Sequence, residues 1–388
     1  MLGRHMMDCL ELLRSLIRFR SITPLDDGAI DFLYETLINA GFKCEILEFG
    51  GDLSARIKNL YAWIGDSGPN LCFAAHTDVV PVGEISKWKF HPFEAALEDG
   101  VIYGRGCVDM KGAIAAFISA AGEYLKECAG RQSGMISLLI TGDEEGPAIH
   151  GTRDVIAWLR HRNIKIDACI IGEPTSNARV GDIIKVGARG SVTFSLMIYG
   201  KQGHVAYHRM ADNAVDIMLP ILQSIKSYKL DNGSDKFEPS NLEFTDINIG
   251  NSAENIIPGA VRVQFNVRFN DRHTCESLYE LIRDICSQHI NNFSLDYNMN
   301  SMPFCTDHSA ISDMLSDSIF EVTKIKPDIN TFGGSSDARF IMHHCPTLEF
   351  GLLNKTAHQV DEHVSVSDIM ILKAIYKNFL HKFFNTKI

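Results

Sequence analysis

Apolar residues recur along the chain in two rhythms. Over residues 8–20, Leu10, Leu13, Ile17 and Arg20 fall on a helical repeat, and Thr23-Pro24 stops it. Over 28–40, Ala29, Phe32, Leu33 and Leu37 repeat the pattern up to Gly41. Strand-like runs follow at 43–49, 58–64 and 71–76. An Ala-rich stretch at 111–126 predicts a long helix, 135–141 a buried strand, 152–162 a helix and 167–171 another strand. Strands alternating with helices predict an α/β domain with a mostly parallel sheet.

The rhythm changes near residue 190. Residues 191–199 alternate as a strand and 211–228 are helical. Strands at 242–250 and 260–269 flank the turn Ile257-Pro258-Gly259, and a helix at 274–289 and a strand at 293–299 follow. That order, β-α-β-β-α-β, is the ferredoxin-like arrangement. Helical patterns at 309–324, 335–343 and 366–384, with strands near 328–331 and 347–352, then resume the first rhythm. The expectation is a first domain of residues 7–189 and 301–388, with a second, 190–300, inserted in it. The polar stretch 227–240, with Asp231-Asn232-Gly233-Ser234, reads as an exposed loop. The leading MLGRHM reads as a cloning scar before a natural start at Met7.

Composition narrows the function. The 388 residues are 45% hydrophobic and 22% charged, which fits a globular protein and argues against disorder. A formal net charge of -11 argues against a nucleic-acid or anionic-membrane binder, although local Arg or metal can still receive an anionic small molecule. No apolar run reaches the ~18–20 residues that span a bilayer. The ten cysteines form no C-x-x-C pair, and several lie in apolar runs, so free thiols in a cytoplasmic protein are expected.

Five segments carry candidate chemistry. The apolar run 71–75 delivers His76 and Asp78 to its C-terminal end, the edge where open α/β sheets bind ligands. Residues i and i+2 of an extended chain share a face. His76 could thus take a metal while Asp78 orients its ring, or Asp78 could simply cap a turn. Asp109 follows Gly104 and Gly106 and precedes a helix. It is either an N-cap or a carboxylate able to bridge two metals. Asp143, Glu144 and Glu145 end a buried strand. Adjacent acids repel, so a cation explains them best, with neighbours dividing metal binding from proton handling. Glu173 ends the run 168–171, and His358 lies in a polar loop. Together these mixed nitrogen and oxygen donors, without thiolates, suit catalytic zinc. They are too many for one ion that keeps a water, and they fit two metals sharing a carboxylate roughly 3.5–4 Å apart.

The motifs H-T-D-V-V-P at 76–81, G-R-G-x-x-D-M-K-G at 104–112, D-E-E-G at 143–146, G-E-P-T at 172–175 and A-H-Q-x-D-E at 357–362 span almost the whole chain. They resemble the zinc aminoacylase and carboxypeptidase family of di-metal amidohydrolases. The resemblance implies a mixed-sheet, zinc-exopeptidase-like α/β catalytic domain with an inserted ferredoxin-like dimerisation domain. It implies two zinc ions per subunit, with cobalt able to substitute, and a homodimer. His76 and Glu173 would hold one zinc, Glu145 and His358 the other, with Asp109 bridging. Glu144 would be the general base and acid, Asp78 would orient His76, and His204 would be an oxyanion donor reaching a neighbouring subunit. Arg189, Ser191, Tyr207, Asn255, Arg268, Gly334, Ser335 and Asn354 would contact an anionic small-molecule substrate. The segments 187–191, 203–207, 332–340 and 353–354 point to the branch that releases succinate from an N-succinylated diamino acid, with a deacetylase or dipeptidase as the alternative. Ala188 departs from that pattern, where a second basic residue is usual, as does Ser335 in place of Thr.

Overall fold

The computed structural model describes residues 7–129, 133–306 and 310–385, so the reading of MLGRHM lies outside the described residues. The chain divides into two compact units. One comprises the described residues up to Val186 with Thr306–Asn330 and those from Ser336 onward. The other is Gly187–Cys305 with Thr331–Ser335.

The first unit is built on an eight-stranded mixed sheet. Its strands run in the order Lys43–Phe49, Ile57–Ile64, Met135–Thr141, Asn70–His76, Ala168–Ile171, Thr347–Glu349, Ile183–Lys185, Asp328–Asn330. The parallel expectation holds at the centre, where Asn70–His76 pairs in parallel with Met135–Thr141 and Ala168–Ile171. The outer strands turn antiparallel because Lys43–Phe49 and Ile57–Ile64 are joined by a short loop. In the central strands apolar residues face both sides, and every residue of Asn70–His76 is buried. The helices Lys111–Glu127 and Val366–Asn385 cover one face. Phe73 stacks on Phe117 with centroids 4.2 Å apart, and Tyr376 meets both edge-on. The buried Tyr376 hydroxyl is satisfied by donating to the Phe350 carbonyl at 2.6 Å. Gly112 is dictated by packing, since a Cβ there would stand 2.4 Å from the Cys107 carbonyl oxygen. The consequence for the site is directional: the parallel strands all end at one edge, carrying His76, Asp143 and Glu173 there.

A second, three-stranded sheet joins Ala96–Glu98, Val101–Tyr103 and His363–Ser365. The hydrophobic rhythm does not predict these strands, because three residues are too few to alternate. The expected helix at 335–343 contracts to Ala338–Ile341, and the strand at 347–352 to Thr347–Glu349.

The second unit orders its four main strands as Asn241–Asn248, Ala260–Phe269, Gly190–Tyr199, Phe293–Ser301, all antiparallel. With helices Ala214–Ser227 and Cys275–Ser287, the chain order is β-α-β-β-α-β. Alternation explains its core: Val261, Val263, Phe265, Val267 and Phe269 are buried while the residues between them are half-buried. The loop expected at 227–240 is anchored rather than free. The Asp231 carboxylate accepts from the Gly233 N–H at 2.6 Å, the Ser240 N–H at 3.2 Å and Asn270 Nδ2 at 2.7 Å. Among the described residues no helix is long and apolar enough to cross a membrane.

Candidate metal centre

Seven of the predicted residues meet at the edge of the first unit's sheet. His76, the last residue of its strand, is 1% exposed. Its Nε2 lies 3.2 Å from Asp109 Oδ1 and 3.8 Å from Glu173 Oε1. The other oxygen of Asp109, Oδ2, lies 3.2 Å from His358 Nε2, which is 2.8 Å from Glu145 Oε1. One carboxylate thus stands between two imidazoles, each with a further acid beside it. Donor atoms of His76, Asp109 and Glu145 fall within 4.8 Å of one another, as do those of His76, Glu144 and Glu173.

Asp78 meets His76 as expected, chiefly through its backbone carbonyl. The ring nitrogen Nδ1 of His76 donates to the Asp78 backbone carbonyl at 2.9 Å, while the carboxylate stands 3.6 Å away. The carboxylate also accepts from the N–H groups of Glu144 at 3.2 Å and Glu145 at 3.0 Å. It fixes the loop that carries both acids. Asp143 turns inward and accepts from the N–H groups of Ile149 and His150 at 2.8 and 3.0 Å, leaving Glu144 and Glu145 toward the histidines.

The electrostatics describe a pocket short of positive charge. Burial, reinforced by Asp337, Glu145 and Asp109 against the opposing pull of His76, pushes Glu144 well above the ordinary carboxylate range. Burial, then Asp109 and Glu144, does the same to Glu173. Burial alone would also raise Asp109, but the hydrogen bonds from His358 and His76 outweigh it and hold it low. Hydrogen bonds to Asp109 and Glu145 raise His358 to about 10. Asp78, Asp109, Glu144, Glu145 and Glu173 therefore crowd two imidazoles that already carry what compensation they can. Hard oxygen donors with two imidazoles, and no thiolate, fit divalent cations that would remove this imbalance.

Sequence reasoning read Asp361 and Glu362 as acids that either back His358 or only start a helix, and missed the partners that support this cluster. Glu362 and Arg105, both buried, form a 2.8 Å ion pair between the Asp109 and His358 loops. Lys185 and Glu349 form another at 2.7 Å, and Ser336 Oγ donates to Glu349 at 2.8 Å. Arg105 lies inside the motif at 104–112, and that was its only signal. Asn354 also belongs to this unit, in an exposed stretch, with its N–H donating to the Ser176 carbonyl at 2.9 Å.

The second unit holds the remaining predicted residues. Ser191, Arg268 and Asn241 stand side by side across three strands. Arg189 Nη1 donates to the Pro239 carbonyl at 2.6 Å and to Asn241 Oδ1 at 3.0 Å. Burial, then the like charge of Arg189, holds Arg268 below its ordinary value, so an anion would be welcome there. Ala188 is fully buried. His204, Tyr207, Asn255 and Gly334 are exposed, and Ser335 is half-buried. His204 Nδ1 accepts from the Ala206 N–H at 3.1 Å, which places the proton of the neutral ring on Nε2.

Comparison with known proteins agrees with this geometry. The pattern of peptidase family M20/M25/M40 matches residues 72–382. A protein of Ehrlichia canis (strain Jake) named succinyl-diaminopimelate desuccinylase is 48% identical over 379 residues, 97% of this chain and 99% of that protein. The protein of the same name from Wolbachia pipientis wMel is 46% identical over 378 residues, 97% of this chain and 94% of its own length. Among solved structures, an M20 family metallo-carboxypeptidase from Sulfolobus solfataricus superposes with a TM-score of 0.79 at 19% identity, over 98% of this chain and 100% of that one. At that identity the likeness is one of fold.

Proposed function

The chain belongs to peptidase family M20/M25/M40, and from that premise and the site's geometry we propose that it hydrolyses N-succinyl-LL-2,6-diaminopimelate to succinate and LL-2,6-diaminopimelate, a step of lysine and diaminopimelate biosynthesis. It is a metal-dependent hydrolase. The observation that carries the reading is Asp109, whose two oxygens each face one histidine at 3.2 Å. His76 and Glu173 would hold one zinc ion, Glu145 and His358 the other, and Asp109 both. Cobalt suits the same donors.

Bound metals of this kind lower the pKa of water from 15.7 toward ~7 and polarise the amide carbonyl. The protein's residues do the rest. Glu144 takes the proton of the attacking water and passes it to the departing amine nitrogen. Its burial beside other acids favours holding that proton in between. Asp78, through the backbone of Glu144 and Glu145, keeps base and ligand in register. His204 donates from Nε2 to the carbonyl oxygen as negative charge develops, acting across the interface of a homodimer. Arg189 and Arg268 grip carboxylates of the substrate, which carries three. Ser191, Tyr207, Asn255, Gly334, Ser335 and Asn354 complete the contacts.

The test is a two-substrate assay with added zinc. Succinyl-diaminopimelate should turn over with the larger kcat/KM, and a preference for acetylornithine or a dipeptide would sink the substrate assignment while leaving the reaction class intact.

A further inference from the structure

Asp109 and His358 reach the site on two loops that exchange side chains. From the first loop, Arg105 Nη1 donates to Glu362 Oε2 at 2.8 Å and to the Gln359 carbonyl at 3.1 Å. Its Nη2 points at the carbonyls of Pro81, 3.3 Å, and His358, 3.5 Å. From the second loop, Glu362 accepts from the N–H groups of Gly106 and Val108, both at 2.9 Å, and of Asp109 at 3.2 Å. The Gly104 N–H donates back to the Glu362 carbonyl at 2.9 Å. Both side chains are buried, at 2% and 0% exposure, and Arg105 lies over the Trp88 ring. The pairing of His363–Ser365 with Val101–Tyr103 brings the two loops together.

A buried ion pair is costly to desolvate and is weak evidence for stability. This one satisfies the N–H groups of Gly106, Val108 and Asp109 and carbonyls of the His358 loop, so its geometry bears on where two ligands stand. The other ligands are held by other means, Glu145 on the loop that the Asp78 carboxylate fixes. His76 closes a central strand and is fixed by the Asp78 carbonyl. Glu173 follows Gly172, whose N–H donates to the Ala74 carbonyl of the neighbouring strand at 3.2 Å.

We propose that Arg105 and Glu362 are positioning residues forming a latch that sets His358 and, through its backbone N–H, the shared ligand Asp109, whereas His76, Glu173 and Glu145 are set by strand ends and by the Asp78 carboxylate. The proposal rests on the two-metal reading above. It predicts that breaking the latch weakens the two metal sites unequally. Cobalt(II) titration followed by visible absorption should give two uptake steps in the wild type. In Glu362→Gln one step should weaken by about thirtyfold or more in Kd, roughly 2 kcal/mol, and the other, which keeps His76 and Glu173 and loses only the placement of Asp109, by less than about tenfold. The double variant Glu362→Gln/Arg105→Met, which leaves no unpaired buried charge, should behave alike and keep cooperative thermal unfolding. A purely structural role would leave both steps unchanged or weaken them equally, and either result overturns the latch alone. A wild type that takes up a single equivalent overturns the two-metal reading and the latch with it.

Discussion

His76 and His204 each close a β-strand, one in each unit, yet their surroundings share little. His76 is 1% exposed, with one ring nitrogen held by a backbone carbonyl and the other facing carboxylates. His204 is exposed on a two-residue strand, and its ring is engaged by its own loop through the Ala206 N–H. The same contrast runs through the units. The first surrounds its chemistry with buried and half-buried acids carried on strand ends and on loops held by backbone N–H groups. The second displays Arg189, Arg268, His204 and Tyr207 at or near its surface. A ligand set for a cation must not move, because misplacement by a fraction of an ångström costs affinity. Groups that receive a substrate can be exposed until it arrives. The difference teaches which residues should affect chemistry and which should affect binding.

The sharpest way to break this division is Glu144→Gln. Loss of a general base and acid typically costs ~10²–10⁴-fold in kcat, and metal content measured by atomic absorption should be unchanged. A variant within about tenfold of wild type would remove Glu144 from that role. His204→Ala comes next, with a loss of ~10²–10³-fold and no loss of metal, as expected of an oxyanion donor outside the ligand set. Mixing inactive Glu144→Gln and His204→Ala subunits should restore activity in mixed dimers. No recovery would place His204 in the chemistry of its own subunit.

Much of this contrast was legible in the sequence. Apolar runs ending in acids located the site edge, and the runs at 43–49, 135–141 and 260–269 coincide with observed strands. Alternation gave the β-α-β-β-α-β order of the second unit. The supports were not legible, because their partners are distant in sequence. Glu362 reads as an acid that either backs His358 or only starts a helix, while its ion-pair partner lies 257 residues away. Local i, i+2 geometry suggested that Asp78 serves His76, but it gave no sign that the N–H groups of Glu144 and Glu145, contributed by another strand end, also hold its carboxylate. The strands Val101–Tyr103 and His363–Ser365 are too short to show a period, yet they bring the latch loops together.

In the second unit, Arg268→Met should act on binding. Removing a charge-assisted hydrogen bond worth about 1.5–3 kcal/mol should raise KM by about 10–100-fold with kcat nearly unchanged. A fall in kcat at constant KM would move Arg268 from substrate grip to transition-state stabilisation and blur the division between the units. High salt should weaken wild-type binding more than that of the variant, since one of the two facing guanidinium groups is gone.

The smallest effect should come from Asp231, which supports the second unit much as Glu362 supports the first. Its carboxylate gathers N–H groups of the 231–240 loop and Asn270, and that loop supplies the Pro239 carbonyl on which Arg189 rests. Burial would raise its pKa, but the hydrogen bonds from Ser240, Gly233 and Asn270 prevail and lower it to about 2. The folded value lies below the ordinary 3.8, so the ionised group stabilises the fold fully above that value, and the contribution disappears as pH falls through about 2. Asp231→Asn should therefore cost about 1–2 kcal/mol at pH 7, read from denaturant unfolding. The gap to wild type should narrow between pH 4 and pH 2. Because the loop only braces Arg189, KM should rise less than in Arg268→Met. An equal or larger rise would mean that the second unit, like the first, depends on a rigid frame, and the contrast between the two histidines would reflect burial alone.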